Sequence, residues 1–133
     1  MGTEHWSSLQ LLSLAARAVQ RECASYLKSL GLPQLGLYIL EHLSEQSPLL
    51  QSELARLVLV RTQTLGVVLT TLESQQWVTR QRGVGQNQVA VSITEQGRSL
   101  LATAQEKLQT LQLPSDADAL RPLLAAIIHR TAL

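Results

Sequence analysis

The residues of this 133-residue chain best suited to grip another molecule fall in two short runs. The first is Arg61-Thr62-Gln63-Thr64, with Val67 one turn further on. The second is Arg80 and Arg82, two apart, facing Gln86-Asn87-Gln88 across Gly83-Val84-Gly85. A guanidinium makes charge-assisted hydrogen bonds to phosphate oxygens. A Gln carboxamide offers a donor and an acceptor side by side, which matches the edge of adenine. Thr hydroxyls reach base edges or phosphates, and a Thr methyl or a Val packs on the methyl of thymine. These residue types point to double-stranded DNA. Arg80 and Arg82 are expected on phosphates or in the minor groove, Gln63, Thr64 and Val67 on base edges, and Arg61 on a phosphate or an outer base.

Other chemistries find little support. No nucleophile, base and orienting group stand together, so the chain is not expected to be an enzyme. His5, His42 and His129 are scattered without metal-ligand spacing, and no metal or cofactor is expected. Gly83-Val84-Gly85 lacks the third glycine and the following helix of a dinucleotide-binding loop, and reads as a turn. The single cysteine, Cys23, excludes an internal disulfide framework and fits a reducing compartment. It is expected to be a small buried hydrophobe; a redox switch, with Arg21 and Lys28 lowering the thiol pKa, is the alternative. No apolar run reaches membrane-spanning length and the N-terminus lacks a signal-peptide pattern, so no membrane partner and a cytoplasmic location are expected.

Net charge is only +1. Between residues 33 and 93, Arg56, Arg61, Arg80 and Arg82 balance Glu41, Glu45, Glu53 and Glu73. Bulk charge therefore does not favour a polyanion; placement alone can, and three of those four arginines lie in the two runs above. Apolar residues make up 45% of the chain with no Phe, so the core must be built of Leu, Val, Ile and Ala, which favours helices.

The elements that would position the two runs follow from periodicity. Gln51 to Leu57 and Arg61 to Glu73 read as two short amphipathic helices joined by Val58-Leu59-Val60. In the second, Leu65, Val68, Leu69 and Leu72 form the inner face, leaving Gln63, Thr64, Gly66, Val67, Thr70 and Thr71 outward. After Trp77, Val78–Arg82 and Gln88–Ile93 read as a β-hairpin. Helix, turn, helix and hairpin make a winged helix-turn-helix, which sets its second helix in a major groove with the hairpin beside it.

The flanks are helical. Leu9, Leu12, Ala16, Val19, Cys23, Tyr26 and Leu30 recur three and four apart, predicting one long helix over residues 5–30. Gly31-Leu32-Pro33 breaks it, and Leu35, Ile39, Leu40 and Leu43 line the inner face of the next. Thr94 is placed to cap a helix carrying Leu101, Ala104, Leu108 and Leu111. A last helix, beginning or kinking near Pro122, carries Leu120, Leu123, Leu124, Ile127 and Ile128. The fold class expected is mainly α with a small β-hairpin, in a single domain over 1–133 with its winged unit at 33–97. The helices at 5–30 and 98–132 carry more apolar surface than one small domain can cover. They are expected to pair two chains through Leu9, Leu12, Ala16, Val19, Leu120, Leu124, Ile127 and Ile128.

Leu32-Pro33-Gln34, Gln51-Ser52-Glu53-Leu54-Ala55, Leu72-Glu73, Val78-Thr79-Arg80 and Ser92-Ile93-Thr94-Glu95-Gln96-Gly97 occur in an order and spacing that resembles the MarR family of bacterial transcription regulators. The likeness runs from about Leu9 to Leu111. It implies a homodimer joined through the N- and C-terminal helices, presenting two winged units to a pseudo-palindromic operator. Many members are repressors released by a small lipophilic or anionic ligand, or by thiol oxidation. The chain departs from the family at several places. Where the wing carries an Asp and, two residues on, a minor-groove Arg, this sequence has Gly85 and Asn87. Arg61 replaces a common Ser, Val67 a common basic residue, and Leu59 the glycine of the turn.

The reading that follows is a dimeric DNA-binding regulator, most simply a repressor, contacting DNA through Arg61, Thr62, Gln63, Thr64, Val67, Arg80, Arg82 and Asn87. Its partners would be double-stranded DNA, a second copy of itself, and a small-molecule effector held where Arg17, Arg21, Tyr26 and Tyr38 are expected to gather. The competing reading is a winged-helix dimer that has lost DNA binding and acts through protein partners; its altered wing and low charge motivate it.

Overall fold

Apolar spacing and local caps together set the helices of this protein. Its computed structural model describes residues 2–83, 88–111, 113 and 117–131. The first helix, α1, spans Ser8–Leu27 and starts where the Ser7 hydroxyl accepts the Gln10 amide at 3.1 Å. The expected helix over 5–30 is thus shorter at both ends. Ser7 caps it at its start, and at its end the chain tightens into a 3-10 turn, Lys28–Leu30, closed by Gly31 at φ 66°. Helix α2 covers Gln34–Glu45, directly after Pro33.

A two-residue strand β1, Leu49–Leu50, leads into α3, Gln51–Leu57. The Glu53 carboxylate accepts the Leu50 amide at 2.9 Å, satisfying one donor at the start of α3. Helix α4, Thr62–Ser74, follows, then strands β2, Val78–Arg82, and β3, Val89–Ile93. The sheet order is β1-β3-β2, antiparallel throughout, with Arg80 opposite Val91 and Arg82 opposite Val89. Helix α5, Glu95–Leu108, is capped by Thr94, whose hydroxyl accepts the Gly97 amide at 3.0 Å. A 3-10 turn, Ala117–Leu120, and helix α6, Arg121–Thr131, complete the described chain. Pro122 falls at the second position of α6, where its missing N–H costs no helical hydrogen bond.

The core is the predicted aliphatic one. Leu27, Ile39, Leu40, Leu43, Leu54, Leu65, Leu69, Leu72, Val78 and Val91 are fully buried. Helix α2 sits at the centre, touching α1, α4, α5 and β3. Leu37 is therefore buried as well, although it lies outside the single inner face expected from spacing. Both ends of the chain contrast with this. Leu9 is 76% exposed, and Leu120, Leu123, Leu124, Ile127 and Ile128 are all exposed, as is every residue of α6. Among the described residues, no single helix is long and apolar enough to cross a membrane.

Candidate nucleic-acid interface

The two-helix unit is held by matching helix ends. At the end of α3, Leu59 takes φ 57°, its amide donates to the Arg56 carbonyl at 3.3 Å, and the Val60 amide donates to the Ala55 carbonyl at 3.0 Å. At the end of α4, Gln76 takes φ 64°, its amide donates to the Glu73 carbonyl at 2.9 Å, and the Trp77 amide to the Leu72 carbonyl at 3.0 Å. Each is a Schellman ending, which turns the chain sharply and satisfies the last helical carbonyls. Each has a non-glycine residue in the left-handed position. The first ending aims α4 away from α3; the second starts β2 directly beneath α4.

Burial of Leu65, Leu69 and Leu72 fixes which side of α4 faces out. Thr62, Gln63, Thr64, Thr70 and Thr71 are exposed, and Val67 is 70% exposed. Arg61 is the N-cap of α4 and is exposed. The free amides of the first turn and the positive end of the helix begin at this exposed arginine, a combination suited to a phosphate. Gly66 is half-buried; a Cβ there would meet only the Gln51 side-chain amide, at 3.2 Å.

The hairpin cations separate. Arg82 is exposed near the far end of β2. Arg80 is held by groups of the protein itself. Its Nη2 donates to Glu73 Oε1 at 2.9 Å and to Thr70 Oγ1 at 3.0 Å, and its Nε donates to the same Glu73 oxygen at 3.2 Å. The Arg80 side chain keeps 18% of its surface exposed. Glu73 and Thr70 lie one turn apart on α4 and hang over the base of β2, so the guanidinium is caught between them. Sequence reading missed both partners. The available signal was a carboxylate seven residues before an arginine, on either side of a tight helix-to-strand corner. Asn87 lies outside the described residues.

A cavity of about 340 Å³ opens between α1, α2 and the C-terminal segment. Its walls are almost wholly apolar, with Leu12, Ala16, Val19, Leu120 and Leu124 among them. Tyr38 and Gln34 supply polar groups, the Gln34 amide donating to the Tyr38 hydroxyl oxygen at 2.8 Å. Of the four residues expected to gather around a ligand, only Tyr38 lines this space. Arg17 and Arg21 project from another side of α1, and Tyr26 lies two turns beyond Val19. Burial, with Cys23 and Glu41 nearby, pushes the Tyr38 phenol above its ordinary range. Cys23 itself is 4% exposed, and its thiol is also raised, chiefly by burial. Among the described residues no three His, Cys, Asp or Glu side chains gather as a metal site.

Known proteins share this architecture. The MarR family model matches residues 34–85, from the start of α2 into the hairpin. No curated protein matches the sequence. Among solved structures, the chain superposes on the transcriptional repressor CouR bound to a 23-mer DNA duplex. The TM-score is 0.83, the identity 22%, and 96% of each chain is covered. The transcriptional regulator BldR from Sulfolobus solfataricus gives a TM-score of 0.76 at 28% identity, covering 90% of this chain and 93% of that one. NadR in complex with 4-hydroxyphenylacetate gives 0.72 at 22%, covering 96% of each. The MarR-family match over residues 34–85, the three-stranded wing sheet and the flanking helices together give this chain the fold of the MarR family of winged helix-turn-helix transcription regulators.

Proposed function

We propose that this protein is a homodimeric repressor that reads a pseudo-palindromic operator through α4 and the hairpin. The observation that carries the reading is the outward face of α4, where Gln63, Thr64 and the bare Val67 stand beside Arg61. Thr62 and Arg61 anchor the helix on phosphates, Gln63, Thr64 and Val67 read base edges, and Arg82 holds the backbone from the wing. Asn87, outside the described residues, occupies in sequence the place of the family's minor-groove arginine and is assigned to DNA on that ground. CouR, a repressor of the same fold seen on DNA, supports this assignment.

The exposed apolar side chains of α1 and α6 supply the dimer interface. Leu9, Leu12, Ala16, Leu120, Leu124, Ile127 and Ile128 are all exposed, with Val19 half-buried beside them. A patch this long on one chain is the mark of an association surface. The winged unit at 33–97 then sits between pairing segments at 5–30 and 98–132. Two wings related by a two-fold axis meet half-sites about one helical turn apart, roughly 34 Å. The cavity beneath the pairing helices takes a small, largely apolar effector through Tyr38; NadR, a protein of this fold solved in complex with 4-hydroxyphenylacetate, supports an effector of that size.

A gel shift against the DNA upstream of the protein's own gene tests the reading. Specific retardation is expected. One observation favours the competing role through protein partners: the pairing of Arg80 with Glu73 leaves Arg82 as the one cation outside an ion pair among the wing's described residues. Failure to retard that DNA or a random duplex, at low salt, would support that role instead.

A further inference from the structure

We propose that Arg80 is a positioning residue that locks the wing to the recognition helix and makes no phosphate contact of its own. The inference rests on the DNA-binding reading above and deepens it. Three hydrogen bonds converge on one guanidinium: two to Glu73 Oε1 and one to Thr70 Oγ1. Thr70 in turn donates to the Gly66 carbonyl at 3.0 Å, in the middle of α4. A continuous chain of contacts therefore runs from β2 through Thr70 to the segment that carries Val67. Nε and Nη2 are already engaged, which takes up the edge of the guanidinium that faces α4, and most of the Arg80 side chain is covered.

The lock has two consequences. It fixes the angle between hairpin and α4, so that Arg82 and Gln63 reach the duplex together. It also neutralises Glu73, whose side chain is 42% exposed and whose bare charge would stand on the helix that meets a polyanion. Lysine is a poor replacement here, because an ammonium has one nitrogen where the guanidinium sets two, Nε and Nη2, in a fixed plane against Glu73.

The test compares wild type, Arg80→Ala, Arg80→Lys, Glu73→Ala and the Arg80→Ala/Glu73→Ala double variant. Affinity is measured by fluorescence anisotropy against salt, on operator and random duplexes. Loss of the lock should lower operator affinity by about tenfold in Arg80→Ala and in Arg80→Lys, with the double variant no worse than Arg80→Ala. The salt slope should stay at the wild-type value. A slope reduced by about two per dimer, with Arg80→Lys normal, would make Arg80 a phosphate contact and overturn the proposal. Amide hydrogen exchange on the free proteins provides a readout independent of DNA. Exchange across β2 and the C-terminal half of α4 should accelerate in both Arg80 variants, and unchanged exchange would also overturn the lock. Should wild type bind no DNA, the regulatory reading fails and the exchange data alone decide the lock.

Discussion

Gly97 lies pressed against the main-chain carbonyl of Trp77, so closely that a Cβ at residue 97 would overlap that oxygen. The contact joins the first turn of α5 to the start of β2. Around it, the Thr94 amide donates to the Trp77 carbonyl at 3.1 Å and the Thr94 hydroxyl to the Gln76 carbonyl at 2.6 Å. Helix α5 is thereby hinged onto the end of the hairpin, and the wing is tied to the segments proposed for dimer contacts. Gly97→Ala has no flexible neighbour to displace, since the obstacle is backbone. We expect a loss of about 1–3 kcal/mol in urea unfolding, the usual range for forced overpacking. A loss within a few tenths of a kcal/mol would show that α5 can slide on the hairpin.

Gly66 should behave in the opposite sense. Its nearest neighbour is the mobile end of the Gln51 side chain, so a methyl group is easily accommodated. Gly66→Ala is expected to stabilise the fold by up to about 1 kcal/mol, the helix-propensity difference. If the backbone of α4 approaches DNA at this residue, the same variant binds the operator more weakly while melting at a higher temperature. Higher melting with full affinity would place the helix axis further from the bases.

The two Schellman endings yield a paired prediction. Gln76 is exposed and occupies the left-handed position with no side-chain contribution to the motif. Gln76→Gly should therefore raise stability by about 1 kcal/mol through relief of the left-handed backbone. Leu59→Gly should gain less, because Leu59 is only half bare and its apolar packing disappears with the substitution. Chemical denaturation of both variants checks the order; a destabilised Gln76→Gly would mean the side chain holds a contact the motif does not need.

These endings also mark how far the sequence could be read. Leu54, Leu65, Leu69 and Leu72 announce the helix-turn-helix because each helix buries one face, and a face is a local period. The cap at Thr94 is equally local. Leu37 escaped because α2 is enclosed on several sides, which no single stripe records. Arg80 escaped for a different reason: its partners depend on how α4 crosses β2, and the corner at Gln75-Gln76-Trp77 sets that angle. The α1 stripe was legible as apolar, but Leu9 is left largely bare and Leu12 partly so within the described chain, so spacing named the surface and not what meets it. The expected cluster of Arg17, Arg21 and Tyr26 with Tyr38 rested on residue type alone; of the four, Tyr38 lines the cavity.

Cys23 should be chemically quiet. Burial raises its thiol pKa above the ordinary value, and a buried thiol exposes little thiolate to attack. A disulfide reagent at pH 8 should modify folded protein far more slowly than urea-unfolded protein. Cys23→Ser should leave DNA binding and its response to peroxide unchanged. The raised pKa also fixes the sign of a pH effect. The folded state prefers the protonated thiol, so this contribution is complete below the unfolded pKa and is lost as pH rises through the folded one. Unfolding free energy should fall above about pH 9, and less steeply in Cys23→Ala. Rapid modification at pH 8 would show the thiol to be accessible.

Wing and recognition helix should divide the proposed DNA grip between them. Arg82 is exposed on β2 and free of the Glu73 contact that holds Arg80, so it can meet a phosphate without breaking anything. A phosphate contact carries no sequence information. Arg82→Ala should thus weaken binding to operator and random DNA alike, and reduce the salt slope by about one for each phosphate left unneutralised, about two for a dimer. Gln63 stands on the exposed first turn of α4, where a carboxamide can pair with a base edge. Gln63→Ala should cost about 1–3 kcal/mol on the operator only, with the salt slope retained. Val67→Ala should remove a smaller, also operator-specific share through its packing on a thymine methyl. Anisotropy titrations across a salt series, on both duplexes, separate the three. An unchanged slope in Arg82→Ala on both DNAs would take the wing out of the grip and leave the two α4 helices to hold the duplex.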